Sequence, residues 1–119
     1  MTKKRIKTYM QKSKQEYDKF LSTKQEIYLS QAGEKLWNAY NIFIAILAKK
    51  PIHNKKVAEQ LSGHFAVIFQ DSNFVKVFIN TFELHKYFYR GHGDTDDEER
   101  RFIVAYELLN DMIKTYLVK

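Results

Sequence analysis

Residues 24–49 read KQEIYLSQAGEKLWNAYNIFIAILAK and carry two apolar stripes at helical spacing. Leu29, Ala32, Leu36, Ala39 or Tyr40, Phe43 and Leu47 form one stripe, recurring every three or four residues as one face of an α-helix does. Trp37, Ile44 and Ala48 form the other. From Asn41 onward the segment is apolar nearly all round, and a helix without a polar face belongs at the centre of a protein. Lys49-Lys50-Pro51 ends it: cations suit a helix C-terminus, and proline disfavours helical geometry in the residue before it.

The flanking segments read as further helices. One is predicted over 3–21, with Ile6, Met10, Tyr17 and Phe20 at helical spacing and Ser13 where an apolar residue is expected. Ser22-Thr23 followed by Glu26 reads as a cap opening the second helix. A third helix is predicted over 54–69, capped by Asn54, with Val57, Leu61, Phe65 and Ile68 as its stripe. Residues 74–90 place Phe74, Phe78, Phe82, His85 and Tyr89 on one helical face, although Phe and Val also favour strands. Gly91 and Gly93 stop that helix. A fifth is predicted over 94–117, with Thr95-x-x-Glu98 as capping box and Phe102, Ala105, Leu109, Met112 and Tyr116 as its stripe.

At 119 residues, with four Gly, one Pro and short connections, the expectation is all-α: one domain over 1–119, a single compact up-and-down bundle of about five helices. The absence of Cys excludes disulfides, thiol catalysis and Cys-based zinc sites. The longest strongly apolar run, Ile42 to Ala48, is far short of the ~20 residues of a membrane span. The polar start Met1-Thr2-Lys3-Lys4-Arg5 does not read as a signal peptide, so a cytoplasmic protein without membrane contact is expected.

The net charge of +6 sits in one place. Residues 1–24 hold eight Lys/Arg against Glu16 and Asp18, while 25–119 hold 12 of each sign. Lys3, Lys4, Arg5, Lys7, Lys12 and Lys14, interleaved with Tyr9 and Tyr17, are candidate nucleic-acid contacts, since cations neutralise phosphates and aromatic rings stack on bases. A solvated lysine-rich face of an outer helix has the same sequence pattern.

Two patches carry a family resemblance. Ala32-Gly33-Glu34-Lys35-Leu36-Trp37-Asn38-Ala39 resembles the Ala-x-Glu-Lys-x-Trp-x-Ala helix of PaREP-type archaeal proteins. Leu84-His85-Lys86-Tyr87-Phe88-Tyr89 resembles that family's Leu-His-x-x-Phe-Tyr segment. The family belongs with the HEPN (higher eukaryotes and prokaryotes nucleotide-binding) domains. The resemblance implies an all-α, commonly homodimeric fold, and an RNA- or nucleotide-related role. It also implies, as an alternative, a metal-independent ribonuclease toxin with a nucleotidyltransferase-like antitoxin as partner. Catalytic HEPN members carry Arg, four to six residues, then His. This chain lacks that spacing and has Arg90-Gly91-His92 instead. The expected function is therefore a non-catalytic module binding nucleic acid, nucleotide or protein. A purely structural dimer is the duller alternative.

Arg90 and His92 are nevertheless the candidate catalytic pair, because metal-free RNA cleavage needs a group titrating near neutrality and a cation for the developing charge. The plain alternative is a helix end and an exposed loop residue. His85 and Tyr89 mark a candidate cleft, with a core histidine bonded to a neighbouring helix as the other reading of His85. Trp37 reads as a packing anchor. The acids Asp94, Asp96, Asp97, Glu98 and Glu99 suit a helix N-terminus and lack the pattern of a calcium loop. No Gly-rich phosphate loop or Ser-His-Asp order is present, and neither cofactor nor metal is expected.

Overall fold

The five helices are α1 (Lys3–Thr23), α2 (Glu26–Ala48), α3 (Lys55–Ile68), α4 (Asn73–Arg90) and α5 (Thr95–Tyr116), in a computed structural model that describes residues 2–117. No strand occurs among these residues, so the aromatic Phe74–Tyr89 stretch is helical. Its β propensity is overridden because a helix places Phe74, Val77, Phe78, Thr81, Leu84 and Tyr87 in the core.

α2 is the central helix and packs against the four others. Twelve of its 23 residues are buried, including Leu29, Leu36, Tyr40, Phe43 and Ile44. α1 and α4 run antiparallel to it: Ser13 meets Ala32, and Leu84 meets Gly33. α5 runs parallel to α2, with Thr95 beside Glu26 at one end and Tyr116 against Phe43 at the other. α3 is short and covers α4, Phe65 packing on Phe74 at 5.8 Å between ring centroids.

Two small residues set the closest approaches. Ser13, standing where the pattern asks for an apolar side chain, is fully buried and donates its hydroxyl to the Ala32 carbonyl at 2.8 Å. A larger side chain there would push α1 off α2. Gly33 lets α4 in: a Cβ added to it would stand 2.9 Å from Cβ of Leu84.

The structure departs from the sequence expectations at several ends and faces. Ser22 and Thr23 do not cap α2. α1 runs on to Thr23, Lys24 takes a left-handed conformation (φ 59°), and the α2 N-cap Gln25 makes no side-chain cap bond. α5 is capped one residue early, by Asp94 accepting from the Asp97 amide at 3.1 Å rather than by Thr95. Glu98, freed from that role, is buried. α3 is turned from its expected stripe and buries Ala58, Ser62 and Phe65, leaving Ile68 exposed. The Tyr40 hydroxyl explains the turn: it donates to the Phe74 carbonyl (2.8 Å) and lies 2.6 Å from Ser62 Oγ, drawing a polar position of α3 inward. Finally, most of the apolar surface of α2 is taken up by the core, with Ile27 exposed near its start. Other exposed apolar side chains include Val67, Ile68, Val75 and Ile79 on α3 and α4 and Ile103 and Val104 on α5.

The two mid-helix glycines should respond oppositely to alanine. Gly33→Ala forces α2 and α4 apart and is expected to cost about 1–3 kcal/mol. Gly63 has open space around it, so Gly63→Ala should add roughly 0.5–1 kcal/mol by removing backbone freedom from a helix. Urea denaturation of the pair reads both signs.

Candidate nucleic-acid interface

The basic helix does not present one cationic face. By helical spacing, Arg5, Tyr9 and Lys12 lie on one flank of α1, and Lys3, Lys7 and Lys14 lie on the other. Lys14 is held by Asp18 at 2.7 Å, whereas Lys4 and Lys12 are exposed. Arg5 and Tyr9 line one hollow of about 250 Å³ together with Asn38, Asn41, Ile42, Ala45, Pro51 and Ile52. A second hollow of about 270 Å³ is lined by Trp37, Asn38, Asn41, Ile52, His53, Asn54, Lys55 and His85. Asn38, Asn41 and Ile52 line both, so the two hollows adjoin in a groove that runs from α1, across α2, to α4.

Each lining group has a local cause. Asn38 and Asn41 are three apart on α2 and share a face; the Asn41 amide donates to the Trp37 carbonyl at 2.8 Å. Pro51 and the Asn54 cap of α3 fix the short connection that carries His53 (Asn54 Oδ1 accepts from the Val57 amide, 3.0 Å). Lys55 stands over the Phe82 ring, 4.9 Å from its centroid, with Glu59 at 3.4 Å.

His85 is the most constrained member. Its Nδ1 lies 2.7 Å from Oε1 of Glu34 on α2, and its ring stacks on Trp37 with centroids 5.0 Å apart. Tyr89 meets the same ring edge-on at 4.9 Å while standing 72% exposed. Burial pushes the Glu34 carboxyl above its ordinary value, against the downward pull of the His85 hydrogen bond and charge. Both sequence readings of His85 therefore meet in one residue: it bridges two helices and it lines the groove. Trp37 is a packing anchor, buried against Phe78, Phe82 and His85.

Arg90 and His92 lie elsewhere, in the α4–α5 turn. Gly91 closes α4 in the left-handed conformation (φ 79°). The Arg90 guanidinium is occupied: Nη2 stands 3.4 Å from Oε2 of Glu98, and Nε donates to the His92 carbonyl at 3.2 Å. Glu98 is 2% exposed and also accepts from Arg101 at 2.9 Å, so Arg90 neutralises a buried carboxylate and pins the turn. The His92 side chain is exposed. Three other acids of the run are structural too: Asp94 caps, Asp97 pairs with Arg100, and Glu99 accepts from the Tyr17 hydroxyl at 2.7 Å.

Of the residues singled out from the sequence, Arg5 and His85 line these hollows and Tyr89 packs on His85, whereas Glu34, Asn38, Asn41, His53 and Lys55 were not singled out. A signal was present: two asparagines three apart in an otherwise apolar half-helix, followed by a polar His53-Asn54-Lys55. The roles assigned to the turn are directly measurable. Glu98→Gln removes charge-assisted bonds and should cost about 1.5–3 kcal/mol. His92→Ala should change stability by less than about 0.5 kcal/mol. Chemical denaturation that finds the two equally costly would contradict this division of labour.

No family model, no curated protein and no solved structure matches this chain. The chemistry of the groove is the ground for a functional reading.

Proposed function

We propose that the chain is an RNA-binding module that holds a single strand in the groove between α1, α2 and the α2–α3 connection. One observation carries this reading: two cations, two aromatic rings, two histidines and three side-chain amides line two adjoining hollows. Arg5 and Lys55 would meet backbone phosphates at its two ends. Tyr9, partly buried, offers a ring for stacking, and Asn38 and Asn41 offer donors and acceptors to base edges. The excess of positive charge on α1 draws a polyanion to the groove mouth. The resemblance of Ala32–Ala39 and Leu84–Tyr89 to PaREP-type HEPN proteins supports the same class of ligand. A homodimer belongs to this proposal, with the exposed Val67, Ile68, Val75 and Ile79 as the apolar strip a second copy would cover.

A second reading, metal-independent RNA cleavage, has an observation of its own. His85 oriented by Glu34, His53 and Lys55 share one hollow. One histidine would take the proton of a ribose 2′-hydroxyl as that oxygen attacks phosphorus. The other would give a proton to the departing 5′-oxygen, with Lys55 stabilising the charge between them. This moves the candidate chemistry from Arg90 and His92 to His85 and His53.

Anisotropy with a labelled single-stranded oligoribonucleotide tests the first reading. Arg5→Ala and Lys55→Ala should each weaken binding, and each should reduce the logarithmic salt slope by about 0.7, the contribution of one phosphate contact to a single strand. Lys4→Ala, outside the groove, should do neither. Equal effects of all three would place binding in diffuse charge and remove the groove. Gel analysis of the same mixtures in a metal chelator tests the second: cleavage lost in His85→Gln with binding retained supports it, and intact RNA under saturating wild-type protein removes it.

A further inference from the structure

α1 and α5 both pack on α2 and meet each other only through side chains. Among the described residues, no Cα of α1 lies within 8 Å of a Cα of α5. Tyr17 closes the seam at one end: its ring stacks on Phe102 at 4.8 Å, and its hydroxyl donates to Glu99 at 2.7 Å. At the other end no aromatic stack or side-chain hydrogen bond joins the two helices among the described residues, and the seam opens as a cleft of about 400 Å³. That volume lies in the range of small-molecule sites, roughly 300–1,000 Å³.

The lining is sharply divided. Ile6, Met10, Ile113 and Leu117 form an apolar floor without an aromatic ring, and Lys3, Lys7, Lys114 and the uncharged amide of Asn110 stand around it. Lys3 and Lys7 are one helical turn apart, and like charges at that spacing repel. None of the three lysines forms an ion pair with a described acidic residue, although Lys14, Lys19, Lys55 and Lys86 all do. Three cations without an acidic partner among the described residues, around an apolar floor, ask for a ligand that is anionic at one end and hydrocarbon at the other. A nucleic acid does not fit, since the lining offers no aromatic face for a base to stack on. A bare anion would leave the floor unused.

We propose that this cleft binds a single-chain carboxylate amphiphile, of the medium-chain fatty acid class. The carboxylate sits among Lys3, Lys7 and Lys114, and the tail lies along Ile6, Met10, Ile113 and Leu117. The site is on the opposite flank of α1 from Arg5 and Tyr9, so it is independent of the RNA groove.

Isothermal titration of the purified chain with dodecanoate, below its micelle concentration, tests the proposal. Saturable one-site binding is expected, at least about ten-fold tighter than that of dodecyl maltoside or dodecyltrimethylammonium. From octanoate to dodecanoate, affinity should rise about four-fold per methylene, the equivalent of ~0.8 kcal/mol for each one buried. The surface variant Lys3→Gln/Lys7→Gln/Lys114→Gln should bind dodecanoate no better than the neutral amphiphile. Ile113→Asn should weaken all chain lengths with unchanged head-group preference. No saturable binding, equal affinity for the three head groups, or affinity independent of chain length would each overturn it.

Discussion

Burying α2 on every side is the demand to which the rest of the molecule answers. A helix apolar nearly all round gains about 1.5–3 kcal/mol for each large side chain it hides, but only if neighbours approach closely enough to exclude water. Side-chain size at two contacts permits that approach. Ser13 spends its hydroxyl on the Ala32 carbonyl, so a polar group can be buried where α1 crosses α2 without an unsatisfied donor. Gly33 gives up a side chain so that Leu84 can sit against the α2 backbone. The aromatic content of α3, α4 and α5 then completes the shell, with Phe65, Phe69, Phe74 and Tyr116 stacked around the end of α2 that carries Phe43.

The groove follows from the same packing. Asn38 and Asn41 interrupt the apolar girdle of α2, and α3 and α4 leave that interruption uncovered. Glu34, one turn earlier, faces α4 and takes His85. Because the two helices are antiparallel, a histidine 51 positions away in the chain arrives beside the asparagines. The α2–α3 connection adds His53 and Lys55 from the third side. Polar and ionisable side chains are thus gathered where the central helix breaks its own pattern, and positive charge on α1 lies next to them.

Much of this was legible from periodicity alone. All five helices were placed to within about two residues at each end, because an apolar stripe repeating every three or four residues has few alternative explanations. Caps were less legible. Thr95 and Asp94 are both good N-cap residues by type, and Asp94 takes the cap while Glu98 pairs with Arg90 and Arg101. The face of α3 was misread because Ser62 is polar in the sequence and becomes an inward residue only when Tyr40 is there to meet it. His85 was legible as a residue worth attention. Its partner was not, since nothing in the spacing of Glu34 and His85 reveals that a bundle will put them 2.7 Å apart. Arg90 and His92 drew notice by type and proximity. The buried carboxylate that occupies Arg90 is a tertiary fact.

The claim that matters most is that RNA lies along the groove through Asn38 and Asn41. Amide and side-chain NMR mapping of the isotope-labelled protein, titrated with a single-stranded oligoribonucleotide, addresses it directly. The account predicts the largest shifts at Arg5, Tyr9, the Asn38 and Asn41 amides, the Trp37 indole and the His53 and His85 rings. Shifts centred on the Arg90–His92 turn, or spread evenly over the lysines of α1 with the groove silent, would contradict it.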